Sequence, residues 1–254
     1  MALLLLAAAC SGGGGKGRTD SVKVLQEAAD RTISARTAQI VFSVSTPPAE
    51  GRAEPLTING DGVFDFQHRR GRLTFDVPTT KPPQRVESVI VASAVYAKLP
   101  REMLPLAGGA RPWVKLPAQA ATSRAGLGVR GLESADLAQA LRYVRGATSN
   151  VKRVGTDRMR DTTTTHYRGP LDLEVAAANT KEPARTSTRR LIETLGTSRV
   201  PADIWLDNEH RIRKLVLAPV QVTLSVELFD FGTPVKIDLP PPEQVSDLTS
   251  VLGQ

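Results

Sequence analysis

The clearest pattern lies near the C-terminus, in 200–239. There Val220, Val222, Leu224, Val226 and Leu228 alternate with Gln221, Thr223, Ser225, Glu227 and Phe229. A period of two sets the first row on an apolar face and most of the second toward water, so the segment predicts a half-buried strand. Just before it, Ala202 to Leu206 and Ile212 to Ala218 flank Asp207-Asn208-Glu209-His210, and these two runs predict a hairpin. Pro219 interrupts the ladder, and Gly232-Thr233-Pro234 turns the chain before an expected last strand at Val235 to Leu239. The unit is a long antiparallel meander with one apolar face, around which the remaining elements must pack.

Earlier in the chain, Leu25, Ala28, Ala29, Thr32 and Ile33 follow helical spacing, predicting a helix over Ser21 to Arg36 with Asp20 as its cap. Strands are expected at Ala38 to Thr46 and at Leu56 to Phe66, the latter interrupted at Asn59-Gly60-Asp61-Gly62 by a tight turn or a bulge. Gly71 to Val77, Arg85 to Ala92 and Ala94 to Leu99 continue the series. Tyr96-Ala97-Lys98-Leu99-Pro100 and Trp113-Val114-Lys115-Leu116-Pro117 echo one another, as strand ends closed by proline or as a ligand-facing aromatic pair. A helix from about Ala135 to Val144 is capped by Ser134 and stopped by Gly146. Val151 to Val154 and Thr162 to Arg168 predict strands, and Leu173 to Asn179 and Arg185 to Leu195 predict helices, the second ended by Gly196.

Composition narrows the function more than the fold. The 254 residues are 41% hydrophobic, enough for a core, and the net charge of +7 reads as an ordinary solvated surface or, more sharply, as attraction to an anionic one. No basic run is interleaved with aromatics, which argues against nucleic acid. The single cysteine, Cys10, follows the apolar run Leu3 to Ala9 and precedes Ser11-Gly12-Gly13-Gly14-Gly15, the layout of a lipoprotein signal. Residues 1–10 are therefore expected to be a signal segment ending at a lipidated Cys10, 11–19 a flexible tether, and 20–254 a single domain. Ala7 stands where such signals usually carry Leu, and no Lys or Arg precedes the run, so the start of translation is expected to lie upstream.

Catalytic signatures are sparse. His68, His166 and His210 are not spaced as metal ligands, and no metal or cofactor is expected. Gly126-Leu127-Gly128-Val129-Arg130-Gly131 matches a dinucleotide fingerprint, but no strand leads into it. Asp203 and Asp207 fall about 13 Å apart along a strand, too far to share one bond, and read as solvent-facing acids beside Arg211 to Lys214. No enzyme is expected; a hydrolase is the weakest of the functional classes weighed.

The residues do carry a resemblance. Gly146-Ala147 and Val154-Gly155 after the second helix, Thr165 to Leu173 (THYRGPLDL), Ile204-Trp205-Leu206-Asp207, and Asp230 to Val235 before Pro240-Pro241-Pro242 stand in an order similar to the actinobacterial LppX, LprA, LprF and LprG lipoproteins, and more distantly to the LolA and LolB carriers. The resemblance covers most of Asp20 to Thr249. It implies an α+β fold, a strongly bent antiparallel β half-barrel with helices packed on its concave side, enclosing a lipid cavity. It further implies a non-catalytic, membrane-anchored extracytoplasmic protein that binds or carries lipid or acylated glycolipid; a monomer is expected, with envelope transport proteins as candidate partners. Phe42, Val44, Phe64, Phe66, Leu73, Phe75, Leu224, Val226 and Leu228 are the candidate cavity walls. The alternative is an envelope-tethered interaction or sensory module, using the same fold with a filled interior.

Overall fold

The computed structural model describes residues 16–48, 54–77, 83–91, 93–104, 111–117, 137–220 and 222–249. Its frame is one twelve-stranded sheet that does not close on itself, in the order β12-β6-β5-β4-β3-β2-β1-β11-β10-β9-β8-β7. The strands are β1 Thr37–Thr46, β2 Leu56–Asp65, β3 Arg70–Val77, β4 Gln84–Val91, β5 Ala94–Lys98, β6 Trp113–Pro117, β7 Lys152–Met159, β8 Thr162–Asp172, β9 Arg199–Leu206, β10 Ile212–Leu217, β11 Thr223–Phe229 and β12 Val245–Asp247. Every adjacent pair is antiparallel except β12, which joins β6 in parallel. The meander β9–β10–β11 sits beside β1, near the middle of the sheet, and links the two halves of the chain.

Among the described residues four α-helices accompany the sheet: α1 Lys16–Ser34, α2 Leu137–Arg142, α3 Leu173–Ala178 and α4 Ala184–Leu195. Residues Leu25, Ala28 and Ala29 of α1 are fully buried, as their spacing predicts. The helix starts earlier than expected and takes in Asp20, which is therefore not its cap. It ends in a two-residue reversal at Ala35 and Arg36, whose φ of 70° lets the chain turn straight into β1. α2 passes into a 3-10 turn, Tyr143–Gly146, and the expected cap Ser134 lies outside the described residues. Asp172 caps α3 by accepting from the amides of Glu174 and Val175, and Gly196 closes α4 in the left-handed conformation expected of it.

The main core lies between the helices and the inner face of β1, β2 and β8–β11. Leu141, Val144, Leu171, Leu173, Ile204, Leu206, Ile212, Leu215 and Leu228 are all buried there. Two tight polar links hold α1 to this core. Thr32 Oγ1 accepts from the Ile212 amide at 2.8 Å and donates to Ala28 O at 2.7 Å. Gln26 donates to Ala147 O at 2.8 Å.

Three expectations need correction. The alternating run does not begin at Val220: β11 starts at Thr223, and Val220 is 60% exposed in the connection after Pro219, which cannot donate to a ladder. Val235 to Leu239 is not a strand. It crosses the outer face of the sheet, where Val235 and Ile237 pack with Val63, Val89, Tyr96 and Trp113, and the last strand is β12 instead. Asn59-Gly60-Asp61-Gly62 makes neither turn nor bulge and runs through β2 in unbroken register with β1. The proline-closed echo does end strand β5 at Leu99-Pro100, and its second copy is β6 itself. The 126–131 glycine motif lies outside the described residues.

Candidate functional site, the inner face of the sheet

Register assembles one continuous row of apolar side chains. Ile40, Phe42 and Val44 of β1 stand opposite Leu228, Val226 and Leu224 of β11 on one side, and opposite Gly62, Gly60 and Ile58 of β2 on the other. Leu73 and Phe75 of β3 continue the row beyond Gly62 and Gly60. The two glycines are thus a gap in the wall into which neighbours lean. A Cβ built at Gly60 would lie 2.5 Å from Phe42 Cε1, and one at Gly62 would lie 2.9 Å from Leu73 Cδ2. Gly71 next to them is closed off by Phe64, whose Cδ2 would be 2.9 Å from a Cβ there.

Coverage is uneven along this row: Ile58 and Leu217, the register neighbours of Val44 and Leu224, are 4% and 2% exposed. At the end where α1 and α2 pack, Leu228, Phe64, Phe66, Val226 and Ile40 are sealed, between 0% and 4% exposed. At the other end Phe42, Leu73 and Leu224 are only half-buried at the margin of the core, and Val44 is half-buried as well. Phe75 belongs to a separate cluster with Val86, Ala97 and Val114, to which none of the four helices contributes. The nine residues singled out from sequence therefore divide: Phe64, Phe66, Val226 and Leu228 are core, and Phe42, Val44, Leu73, Phe75 and Leu224 are half-buried. Cys10 lies outside the described residues.

Over β7–β10 the outer face is polar and internally matched. Pairing of β8 with β9 stacks His166 on Trp205, with ring centroids 4.1 Å apart and 11° between planes. His166 Nε2 lies 2.5 Å from Asp203 Oδ1, and its Nδ1 is 3.5 Å from Asp157 Oδ2. Trp205 Nε1 donates to Asp157 at 2.7 Å, Arg168 Nε donates to Asp203 at 2.6 Å, and Lys214 Nζ sits 5.0 Å from the indole centroid. Asp203 thus bonds across strands. Asp207, expected to face solvent, is 5% exposed and ties the β9–β10 turn by accepting from the amides of Glu209 and Arg211 and from Arg211 Nε. The roles of His166, Asp203 and Trp205 were not visible in the chain order, because each depends on which strands become neighbours, whereas Asp207 bonds within its own turn. Arg213 is also buried, packed with Arg211 over Phe231; burial draws its pKa down from the ordinary value, with Asp207 opposing.

A polar groove of about 600 Å³ opens between the end of α1 and the β9–β10 turn, lined by Glu27, Asp30, Arg31, Ser34, Glu209 and Arg211. Its charges are already paired, Arg31 with Glu27, Asp30 with Arg145, and Arg211 with Asp207 and Glu209, so it presents no uncompensated charge to a ligand. Among the described residues no group of His, Cys, Asp and Glu is arranged to hold a metal ion, and no helix is long and apolar enough to cross a membrane.

No protein-family model and no curated protein matches the sequence. Solved structures do match. The Mycobacterium tuberculosis lipoprotein LppX is 14% identical, covers 87% of this chain and 99% of its own, and superposes with a TM-score of 0.54. LprF from Mycobacterium bovis is 17% identical over 87% of this chain and 97% of its own, with a TM-score of 0.49. A LolA superfamily protein from Nitrosomonas europaea is 7% identical over 87% of this chain and 94% of its own, with a TM-score of 0.37. The chain has the fold of LppX, an open and bent sheet with its helices gathered on one face.

Proposed function

We propose that this chain is a lipid-anchored extracytoplasmic protein that binds lipid or acylated glycolipid against the inner face of its sheet. The observation that supports this is a group of large apolar side chains on the inner face, Leu224, Val44, Phe42 and Leu73, that stay half-buried while Leu228 on the same face is fully buried. Large apolar side chains in a continuous strip cost free energy when wet, and each methylene that a guest removes from water contributes about 0.8 kcal/mol. An acyl chain laid along the strip gains several times that, enough to outweigh the cost of ordering it. The named members of the strip are all aliphatic or aromatic, which suits holding a guest.

Attachment would come from acylation of Cys10, with the part of 11–19 that precedes α1 as tether and one domain following it. The basic balance of +7 would add attraction to anionic lipid, about 1 kcal/mol for each side chain near the surface. Native mass spectrometry of the chain extracted from its own membranes tests the binding. Adducts of acyl-lipid mass that disappear in Leu224→Asp are expected. A protein that is bare as isolated, and that also fails to take up a fluorescent fatty acid, would overturn the proposal.

A further inference from the structure

Strand β7 closes one end of the sheet and pairs only with β8, so one side of its backbone is unused. Alternate residues of such an edge turn their N–H and C=O groups outward, a template for a further strand. Among the described residues no segment other than β8 bonds the backbone of 152–159. Six of the eight residues of β7 are exposed, Val154 among them at 55%. The register slips at that point, between Arg153 and Gly155, and then runs unbroken from Gly155 to Met159. The opposite edge strand, β12, is three residues long, too short to offer a comparable ladder.

Charge along this edge is sorted by face. Arg153, Thr156 and Arg158 stand opposite Tyr167, Thr165 and Thr163, and Tyr167 belongs to the main core, so both arginines lie on the inner side. Asp157 stands opposite Thr164 on the other side, where Trp205 Nε1 already donates to it. Arg153 and Arg158 are exposed, and among the described residues neither has a hydrogen bond or an ion pair. Their partners Tyr167 and Thr163 are four residues apart, which separates the two arginine positions by about 13 Å along the strand. Cations and a bulge on an edge guard it against pairing with its own copy. Such a copy would set the four cations in 152–160, Lys152, Arg153, Arg158 and Arg160, against the same four with one acid, Asp157, between them. The same edge is complementary to a strand that brings carboxylates.

We infer that the β7 edge accepts, as an added strand, an extended acidic segment of a partner protein, with carboxylates four residues apart set against Arg153 and Arg158. This interaction surface is separate from the inner face and does not depend on lipid binding. The probe is the end-blocked peptide TVEVTVEVT, which puts two glutamates on one face of a strand. Added to the full chain, it is expected to slow amide exchange in 152–159 several-fold and to leave 245–247, on the opposite edge, unchanged. Two control peptides are expected to give no protection: TVQVTVQVT, which lacks the charge, and the fully N-methylated glutamate peptide, which cannot form a ladder. The double variant Arg153→Glu, Arg158→Glu is expected to lose the protection and to regain it with TVKVTVKVT, which separates a lost contact from a lost fold. No protection by the glutamate peptide, equal protection by either control, or no rescue of the double variant would overturn the inference. Protection of 152–159 by phosphatidylglycerol vesicles but not by the peptide would overturn it in favour of a lipid surface, and protection that rises with protein concentration alone would overturn it in favour of a second copy.

Discussion

The ring of Phe42 occupies the space that a side chain at Gly60 would need: a Cβ there would fall 2.5 Å from Phe42 Cε1 and 2.7 Å from Thr74 O. Because one of the two obstacles is backbone, moving the ring alone does not make room. Gly60→Ala is expected to destabilise the protein by about 1–3 kcal/mol, the usual cost of overpacking, and to push Phe42 off the strip. Urea denaturation gives the first effect, and a changed fatty-acid affinity gives the second.

Sealed and half-covered members of the row should respond differently to truncation. Phe64, 1% exposed and tilted against Phe66 with centroids 5.2 Å apart, is core. Phe64→Ala is expected to cost about 3–5 kcal/mol. Leu224→Ala lies at the core's margin and is expected to cost less than half of that while weakening fatty-acid binding more than Phe64→Ala does once both are compared at a temperature where both are folded. Equal effects of the two on binding would mean that the strip has no accessible end.

Thr32 is a polar side chain buried for one purpose, to accept from the Ile212 amide while donating to Ala28 O. Thr32→Val keeps the shape and leaves that amide without its partner. A loss of about 1–3 kcal/mol is expected, while Thr32→Ser should recover most of it. Thermal unfolding of the two variants side by side separates the hydrogen bond from the packing.

At the far edge, Asp247 of β12 accepts from Lys115 of β6 at 2.8 Å and also from Thr249. These bonds, the Lys115 one first, lower its carboxyl from the ordinary 3.8 to about 2. A depressed carboxylate contributes stability that is complete above 3.8 and disappears as the pH falls toward 2. The three-residue β12 should therefore loosen from β6 across that window before the rest of the sheet. Asp247→Asn should show the same loosening at neutral pH, read as faster amide exchange in 245–247.

The outer-face cluster ties an edge strand to the sheet interior. Trp205 Nε1 reaches from β9 past β8 to Asp157 of β7. Trp205→Phe keeps the stack on His166 and removes that donor. A loss of about 0.5–1.5 kcal/mol is expected, concentrated in β7 and visible as faster exchange in 152–159.

Much of this architecture could be read from periodicity. The half-buried alternation of β1, β3 and β9–β11, the buried stripe Leu25, Ala28 and Ala29 of α1, and the glycine that closes α4 each follow from local pattern, because strand and helix repeats are short enough to show within one segment. Where the expectation failed, the deciding partner was distant. Val235 to Leu239 has the composition of a strand, yet lies across the outer face without a ladder, and β12, too short to leave a pattern, found β6 instead. Gly60 and Gly62 look like punctuation until β1 and β3 bring Phe42 and Leu73 over them.

Sequence alone settled that this chain would make more one-sided strand than helix, since alternation of apolar and polar residues is a property of each strand by itself. Which part of the apolar face stays uncovered was settled only by the tertiary structure. Phe64 and Leu224 both lie in alternating strand segments; one is sealed and the other half-buried, and the difference lies in which distant elements pack over each. Burial is a relation between elements, and no single segment records it.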